Sequence, residues 1–323
     1  MTWPACAPEA AVSDLELRLT ADGSPTFWSA RFQEGFHSAA GAWSEAQAKF
    51  VRPAELERFA AGTRINVLDV GVGLGYNSAA LLEAAAAHGL LLQWWGLELD
   101  PQPLRCALAD DRFRTLWQPT TLMALEQLQG QGHWQQPAGS GQWWLGDARQ
   151  TVRLAAAAAA AGGGCHLVLH DAFSPGRCPE LWSVEFLGQL AAVLAPEGRL
   201  LTYCVAAAVR QGLRQAGLQL ASLQPGPDDA GQGSNPWSLG TVASPQPLHP
   251  TATSPYGPLT AMEEEHLRTR AAVPYQDPGG SGSAAAILAE RRDRQQQETS
   301  GNSTSAWRRR WLPARGKAAG DDR

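Results

Sequence analysis

The sequence contains few cysteines, and they form no recognisable metal-binding or disulfide pattern. The five cysteines are odd in number, are widely scattered, and include no C-x-x-C pair. A zinc finger or a disulfide framework would need such pairs or an even, regularly spaced set. We therefore predict no structural metal site and no disulfide framework.

Long apolar runs are also missing. The longest alanine stretch, residues 155–161, is far shorter than the roughly 20 apolar residues needed to cross a bilayer. The first ten residues include Glu9 and no basic residue ahead of an apolar run, which is unlike a secretory signal. We expect a cytoplasmic protein without a membrane partner.

Positive charge is in deficit, since 26 Lys and Arg stand against 31 Asp and Glu for a formal net charge of −5. Indiscriminate nucleic-acid binding depends on neutralising phosphates, so this balance disfavours it without excluding a local basic patch. Hydrophobic residues make up 44% of the 323 residues, which is enough to bury a core. At roughly 150 residues per domain, the length suits about two domains or one domain with additions.

Short apolar runs alternate with helical stretches between residues 64 and 244. Seven runs have the character of strands: residues 65–70, 91–99, 142–145, 166–170, 199–205, 218–223 and 237–243. This alternation predicts an α/β fold with a mostly parallel seven-stranded sheet and helices on both faces. We predict an N-terminal extension at 1–63, this domain at 64–244, and a largely irregular, low-complexity extension at 245–323 with short helices at 262–272 and 283–297.

A glycine-rich turn follows the first predicted strand. Gly71, Gly73 and Gly75 are spaced two apart, follow Asp69, and lead through Asn77 into a helix. Glycine lets the backbone approach a ligand closely, and the start of the helix offers unpaired N–H groups. Dinucleotide-binding loops place the third glycine one residue later, as G-x-G-x-x-G. The D-x-G-x-G pattern here is instead similar to that of class I S-adenosyl-L-methionine (SAM) methyltransferases.

Two acids at the ends of later strands are placed to hold a nucleoside. Glu98 ends the second predicted strand, where a carboxylate can accept hydrogen bonds from both ribose hydroxyls. Asp147 follows Gly146, at the position where class I methyltransferases hold the adenine amino group, and it is equally suited to cap the next helix. With the glycine turn, these acids predict SAM as the cofactor.

A third acid, Asp171, follows the strand at residues 166–170 and is close in sequence to Phe173 and Pro175. Open α/β sheets bind ligands at the carboxyl ends of their strands. A carboxylate there can accept the proton that an amine must lose before it attacks a methyl group. We predict that Asp171 orients and deprotonates an amine and that Phe173 stacks on a flat base. A plain turn-forming role for Asp171 stays open.

Residues 27–243 resemble the methyltransferase module of the MnmC family, bacterial enzymes that modify the wobble uridine of tRNA. This run is about two thirds of the chain. The matching blocks within it are the glycine turn, Phe36-His37-Ser38-Ala39-Ala40-Gly41-Ala42 with Glu45, Asp171-Ala172-Phe173-Ser174-Pro175 with Pro179-Glu180-Leu181-Trp182, and Val209-Arg210-Gln211-Gly212-Leu213 with Ala216-Gly217. The block that begins at Asp171 is the most specific, because general methyltransferases lack it.

The resemblance implies that SAM methylates the aminomethyl group of 5-aminomethyl(-2-thio)uridine in tRNA. The residues that it assigns to the cofactor are Gly71, Gly73, Gly75, Glu98 and Asp147. It places Asp171 beside the acceptor amine, and it predicts that His37, Glu45 and Pro175 face the substrate. Bifunctional members also carry an FAD-dependent oxidase domain that is not recognisable here, so the chain resembles a stand-alone form.

Other acceptors stay open. The family's basic run before the last strand is replaced by Gly231-Gln232-Gly233-Ser234-Asn235-Pro236, and the domain is acidic. Both features favour a methyltransferase that acts on a small-molecule amine or a protein side chain; a non-catalytic SAM-binding protein is a third alternative. In favour of tRNA, Trp307 and Trp311 flank three arginines and form a basic-aromatic segment of the kind that docks on phosphates and bases.

Overall fold

Two β-sheets organise the protein, whose computed structural model describes residues 14–226, 238–299 and 302–312. In chain order the strands are β1 (Leu15–Leu19), β2 (Pro25–Ser29), β3 (Glu34–Gly35), β4 (Arg64–Val70), β5 (Leu91–Glu98), β6 (His133–Gln136), β7 (Gly139–Leu145), β8 (Cys165–His170), β9 (Leu194–Thr202), β10 (Gln219–Leu223), β11 (Gly240–Ser244) and β12 (Tyr256–Gly257). Strands β1–β3 form a small antiparallel sheet, and the others form a nine-stranded central sheet in the order β12-β10-β11-β9-β8-β4-β5-β7-β6.

Helices connect and cover the central strands. In chain order they are α1 (Ala42–Ala46), α2 (Arg52–Ala54), α3 (Tyr76–Ala87), α4 (Gln102–Leu108), α5 (Asp111–Arg114), α6 (Pro119–Gln131), α7 (Ala148–Ala160), α8 (Val184–Val193), α9 (Ala207–Gln215), α10 (Ala261–His266), α11 (Ala284–Gln297) and α12 (Thr304–Trp311). A π-helical turn at Gln47–Val51 joins α1 to α2. Short 3-10 turns lie at Leu56–Arg58, Pro179–Trp182 and Arg270–Ala272.

The predicted α/β sheet is present with two additional strands. β4 pairs in parallel with β5 and β8, β5 with β7, and β8 with β9, whereas β11 runs antiparallel to β9 and β10. Each of the seven predicted strands has a counterpart. The strand count was too low because β6 and β12, which add antiparallel edges, have only four and two residues and show no recognisable alternation.

Alternation along the central strands sends side chains into two cores. Ile65 and Val67 of β4 pack in one cluster with Leu81 of α3, and Leu68 and Val70 pack in a second cluster with helices α7 and α8. Both faces are therefore covered, as a strand without polar alternation requires. The carboxyl edge of the parallel strands is the part of the sheet left available for a site.

The apolar positions Phe50, Leu56 and Phe59 predict a helix at residues 44–60 with Ser44 as its N-cap. In the structure this helix begins earlier and ends earlier. It begins at Ala42, and the helical segment ends at Ala54 because Glu55 has a left-handed φ of 45°. Ser44, expected to cap the helix, lies inside α1, where its hydroxyl donates to Asp22 Oδ2 at 2.8 Å. Asp22 lies between β1 and β2, so this contact fastens the small sheet to the start of the helical segment.

The segment after residue 245 packs on the domain. Its helices α10 and α11 match the two that were predicted, and α12 was not predicted. Met262, Tyr275, Ile287 and Trp307 are each at most 6% exposed. The polar composition of the segment hides this packing, because a few large side chains far apart in sequence are enough to anchor it.

A buried ion pair joins this segment to the domain. Arg210 of α9 and Glu263 of α10 are 1% and 2% exposed, and Nη1 donates to Oε1 at 2.8 Å. Arg210 also donates to the hydroxyls of Thr241 and Ser222. Burial by itself raises the pKa of Glu263, but the Arg210 charge and several hydrogen bonds hold that pKa at about 2.

Membrane and metal sites were not expected. Within residues 14–226, 238–299 and 302–312, no helix is long and apolar enough to span a bilayer. The same residues include no cluster of three or more His, Cys, Asp or Glu side chains that could hold a metal ion.

Removing one partner of the Arg210–Glu263 pair is expected to destabilise the protein. Glu263→Ala leaves a buried guanidinium unpaired, which should lower the free energy of unfolding by about 3–5 kcal/mol, measured by urea denaturation. The stabilisation should be complete above the ordinary Glu pKa of 4.5 and decline as the pH falls toward 2.

Glu264→Ala is the matched control for this prediction. Glu264 is the next residue and pairs with Arg214, and both side chains are 37% exposed, so the loss should be at most about 1 kcal/mol. Equal effects of the two substitutions would contradict a special role for the buried pair.

Candidate functional site

A cavity of about 500 Å³ opens at the carboxyl edge of the central sheet. The ends of β4, β5, β7 and β8 form one side, and the small sheet and the helical segment after it form the other. The predicted site residues that line it are His37, Glu45, Gly71, Gly73, Asn77, Glu98, Asp147, Asp171 and Phe173. Asp69, Gly75 and Pro175 are not part of this lining.

The glycine turn forms a backbone cradle with no space for side chains. Gly71 and Gly73 have φ values of 83° and 54°. A Cβ on Gly71 would lie 2.9 Å from the carbonyl oxygen of Asp171, and one on Gly73 would lie 3.2 Å from Cδ1 of Phe36. The cradle therefore fits a cofactor that lies directly against the backbone. Gly75 has a different role, because it caps α3 with a φ of 88° and packs against a neighbouring helix.

Asp69 lies behind the cradle. It is fully buried, and its Oδ2 accepts a hydrogen bond from Ser78 Oγ at 2.6 Å. Burial raises the pKa of Asp69 to about 7. The contact fastens the first turn of α3 to the end of β4, so Asp69 holds the turn in shape from a position outside the cavity.

Glu98 at the end of β5 is fixed against the glycine turn. Its Oε2 accepts from the backbone N–H of Gly73 at 2.8 Å, and its Oε1 accepts from the N–H groups of Leu99 and Asp100 at 2.7 and 3.0 Å. Burial raises the pKa of Glu98 in spite of these bonds. Because a carboxylate has about four acceptor positions and three are used here, about one remains for a ligand hydroxyl on the side that lines the cavity.

Asp147 caps α7 and also lines the cavity. Its Oδ1 accepts from the backbone N–H of Arg149 at 2.9 Å, and the Arg149 guanidinium binds the same carboxylate through Nε at 3.1 Å and Nη2 at 2.6 Å. Burial raises the pKa of Asp147, but the hydrogen bonds from Arg149 outweigh burial and leave that pKa below its ordinary value. Asp147 therefore both caps α7 and lines the cavity, and its contact with an adenine amino group stays a prediction.

Asp171 follows β8 directly and reaches the cavity beside the cradle. Its Oδ2 accepts from Asn77 Nδ2 at 2.7 Å, so Asn77 fixes the carboxylate from the first turn of α3. Among the described residues, no hydrogen bond reaches its Oδ1. Burial raises the pKa of Asp171 to about 7. A carboxylate with one open oxygen and a raised pKa is suited to accept a proton near neutral pH.

Phe173 belongs to an aromatic cluster. Its ring stacks on Phe32 with centroids 4.3 Å apart at 18°, and Phe36 meets it edge-on at 4.9 Å. Phe32 thus covers one face of the Phe173 ring. A flat ligand would therefore contact Phe32, Phe36 and Phe173 together and not Phe173 alone. Pro175 is buried in the same loop, behind the lining.

His37 and Glu45 occupy the opposite wall. Burial lowers the pKa of His37 to about 4, so the ring is neutral, and its Nδ1 shares a hydrogen bond with Thr26 Oγ1 at 2.9 Å. Glu45 Oε1 accepts from Lys49 Nζ at 2.6 Å, and its Oε2 accepts from the N–H of Ser38 at 3.2 Å. Glu45 is therefore an ion-paired carboxylate at the edge of the cavity.

Several lining residues were missed by the sequence patterns. They are Arg31, Phe32, Glu34, Lys49, Arg149 and Tyr203. Glu34 Oε2 accepts from the N–H of Ser174 at 2.9 Å, which ties the small sheet to the loop after Asp171. These six residues lie outside any chemical motif. The aromatic density between residues 27 and 36 could have indicated Arg31, Phe32 and Glu34, and the sequence carries no comparable signal for the other three.

Comparisons with known proteins agree with this geometry. A family model described as S-adenosyl-L-methionine-dependent methyltransferase matches residues 117–227. The chain is 28% identical over 234 residues to the "tRNA 5-methylaminomethyl-2-thiouridine biosynthesis bifunctional protein MnmC" of Azoarcus sp. (strain BH72), covering 65% of this chain and 33% of that protein. A protein of the same name from Caulobacter sp. (strain K31) is 32% identical over 216 residues, covering 62% and 34%. The chain spans about a third of the length of these curated relatives.

A solved structure matches more of the chain. The crystal structure of MNMC2 from Aquifex aeolicus superposes with a TM-score of 0.70 at 27% identity, covering 90% of this chain and 87% of that one. Such coverage extends beyond the predicted domain at residues 64–244. The comparisons confirm the predicted fold, the resemblance and SAM as the cofactor.

Glu98→Gln is expected to weaken SAM binding without unfolding the protein. The amide keeps the size of the side chain but loses its charge and one of the two oxygens that accept backbone N–H groups. Charge-assisted hydrogen bonds are about twice as strong as neutral ones. The Kd for SAM, measured by calorimetry, should rise about tenfold or more. Glu126→Gln on the exposed side of α6 is the control and should bind normally. An unchanged Kd for Glu98→Gln at an unchanged melting temperature would remove Glu98 from the cofactor site.

Proposed function

We propose that this chain, a SAM-dependent methyltransferase that resembles the methyltransferase module of MnmC, methylates the aminomethyl nitrogen of 5-aminomethyl(-2-thio)uridine at the tRNA wobble position. The observation that carries the chemistry is the Asp171 carboxylate, which reaches the cavity beside the glycine cradle with one oxygen open. The names of the MnmC relatives, which specify tRNA 5-methylaminomethyl-2-thiouridine biosynthesis, support the substrate.

When bound, SAM supplies a methyl group on a positively charged sulfur. An amine attacks such a group only through a free lone pair, so the ammonium form of the aminomethyl group must first lose a proton. Asp171 Oδ1 would accept that proton, while Asn77 holds Oδ2 in place. A pKa of about 7 lies closer to that of an amine than the ordinary Asp value does, which makes the transfer less unfavourable.

The acceptor side of the cavity suits a cationic, flat substrate. Its charged side chains are the acids Glu34, Glu45, Asp171 and Glu180 and the cations Arg31 and Lys49. Lys49 pairs with Glu45, which leaves three acids against Arg31, so the balance favours a positively charged group. The aromatic cluster of Phe32, Phe36 and Phe173 adds a stacking surface that a base would use and an aliphatic amine would not.

The C-terminal segment supplies exposed cations for a tRNA. Trp307 was expected to stack on RNA, but its ring is 3% exposed and stacks on His266, so that expectation is wrong. Arg308 and Arg309 are exposed on α12. Helix α12 packs on α10, whose Glu263 pairs with Arg210 of α9. Arg210 donates to Thr241 of β11, which pairs with Thr202 at the end of β9, so α10 lies toward the edge of the sheet at which the parallel strands end. The replaced basic run at 231–236 lies outside the described residues. A tRNA substrate would also place the enzyme in the cytoplasm.

The direct test is transfer of labelled methyl from SAM to bulk tRNA from a strain that lacks this modification, followed by nucleoside analysis. Wild type should yield 5-methylaminomethyl-(2-thio)uridine, and Gly73→Arg, which fills the cradle, should not. If labelled SAM binds to the protein but no label appears in tRNA, tRNA is rejected as the substrate and SAM is retained as the cofactor. Small amines and proteins would then be assayed with the same label.

Asp171→Asn is expected to lower kcat about 10²–10⁴-fold, because the amide cannot accept a proton but can still accept the hydrogen bond from Asn77. The Kd for SAM should stay within a few-fold of wild type. In wild type, kcat/KM should fall as the pH drops below about 7, where Asp171 becomes protonated, and this limb should be absent in the variant. A full-rate variant, or the same acid limb in both proteins, would exclude Asp171 as the proton acceptor.

Replacing Arg308 and Arg309 together with Ala is expected to weaken tRNA binding and flatten its salt dependence. Each phosphate contact removed should reduce the slope of log K against log salt by about 1. Arg64→Ala is the control, because Arg64 begins β4 at the opposite edge of the sheet. Fluorescence titrations at several salt concentrations would measure both slopes. Identical slopes for the double variant and the wild type would place the tRNA elsewhere.

A further inference from the structure

A carboxylate in the C-terminal segment is connected to the cofactor wall through one arginine. Arg149 binds Asp147 through Nε and Nη2, as described above, and its remaining nitrogen Nη1 donates to Asp277 Oδ2 at 2.7 Å and to the carbonyl oxygen of Gly282 at 2.9 Å. The Arg149 guanidinium therefore lies between two carboxylates. Asp147 lines the cavity, and Asp277 is 128 residues after Arg149 in the chain.

Asp277 is itself held rigidly. It is 4% exposed, and its Oδ1 accepts from the N–H of Gly282 at 2.9 Å. Its own backbone N–H donates to Glu185 Oε2, in the first turn of α8, at 2.7 Å. Tyr275, two residues earlier, is also buried, and its carbonyl oxygen accepts a hydrogen bond from the N–H of Val184 at 3.0 Å. Asp277 is thus a fixed point from which the orientation of Arg149 is set.

The contacts from Asp277 to Arg149 and from Arg149 to Asp147 are called the relay below. The relay matters because the Asp147–Arg149 pair alone would be weakly ordered. The Asp147 side chain is 38% exposed, and an arginine that pairs only with a carboxylate two residues away has many competing rotamers. Asp277 and Gly282 occupy the remaining donor and leave one arrangement in which both carboxylates are satisfied. Arg149 can do this because its planar group has donors on several sides, whereas lysine offers one point charge.

We propose that Asp277 is a positioning residue for the cofactor: through Arg149 it fixes the Asp147 carboxylate on the cavity wall and so sets selectivity for a purine that carries an exocyclic amine. The proposal rests on the SAM site of the proposed function. A fixed carboxylate accepts a hydrogen bond from an amino group and repels a carbonyl oxygen in the same position. A carboxylate that rotates freely turns away from the carbonyl and discriminates less.

The test is a binding measurement that needs no acceptor substrate. Calorimetry on the full chain gives the Kd values of S-adenosylhomocysteine and of its deaminated analogue S-inosylhomocysteine, and their ratio reports the selectivity. Wild type should prefer the adenosine compound. Asp277→Asn should reduce this preference about tenfold, toward the value of Asp147→Asn, mainly by weakening the adenosine compound. Arg149→Lys, which keeps the charge but loses the two-sided geometry, should have the same effect.

Glu290→Gln is the control, because Glu290 pairs with Arg294 on the exposed side of the same C-terminal segment. Its selectivity should equal that of wild type. Melting temperatures separate loss of selectivity from loss of folding, and Arg149→Lys gives an independent reading if Asp277→Asn is too unstable to assay. A wild-type ratio in both relay variants, or no preference in wild type itself, overturns the proposal. If the selectivity depends on Asp277 but no methyl group is transferred to tRNA, the relay is supported and only the proposed substrate is rejected.

Discussion

The site depends on the close approach of two neighbouring strand ends. β4 and β8 are adjacent and parallel, and the turn that leaves β4 passes so near the Asp171 carbonyl that Gly71 has no room for a Cβ. This approach places the cradle for the cofactor and the proposed proton acceptor on adjacent backbones. The same turn starts α3, whose first residues supply Asn77 to Asp171 and Ser78 to Asp69. One backbone contact therefore sets the geometry of both halves of the cavity.

The parts of this site that the sequence could indicate are those whose chemistry is local. Gly71 and Glu98 follow apolar strands, and the rule that strand ends meet at one edge is enough to bring them together. Phe32 and Asp277 carry no such pattern. Each acts through a partner that is remote in sequence, Phe173 and Arg149 respectively, and only the folded chain reveals those contacts.

The same limit explains the errors in the secondary structure. The edge strands β6 and β12 are too short to show a pattern, and the end of the helical segment at Glu55 depends on a left-handed backbone at a residue that seldom adopts one. Trp307 was assigned to RNA because it neighbours arginines, but its indole nitrogen donates to the Met262 carbonyl inside the protein. A basic-aromatic pattern does not reveal which member faces the solvent.

Three carboxyl groups around the cradle, Asp69, Glu98 and Asp171, share a raised pKa because burial disfavours their charge. For Asp69 and Asp171, whose pKa values are raised to about 7, part of each population keeps its proton at neutral pH. Asp171 is the one of these two that lines the cavity. A cation that binds beside it favours its charged form, so binding is coupled to proton release and strengthens as the pH rises. Burial of Asp171 therefore gives the cavity a negative charge that increases when a positively charged ligand binds.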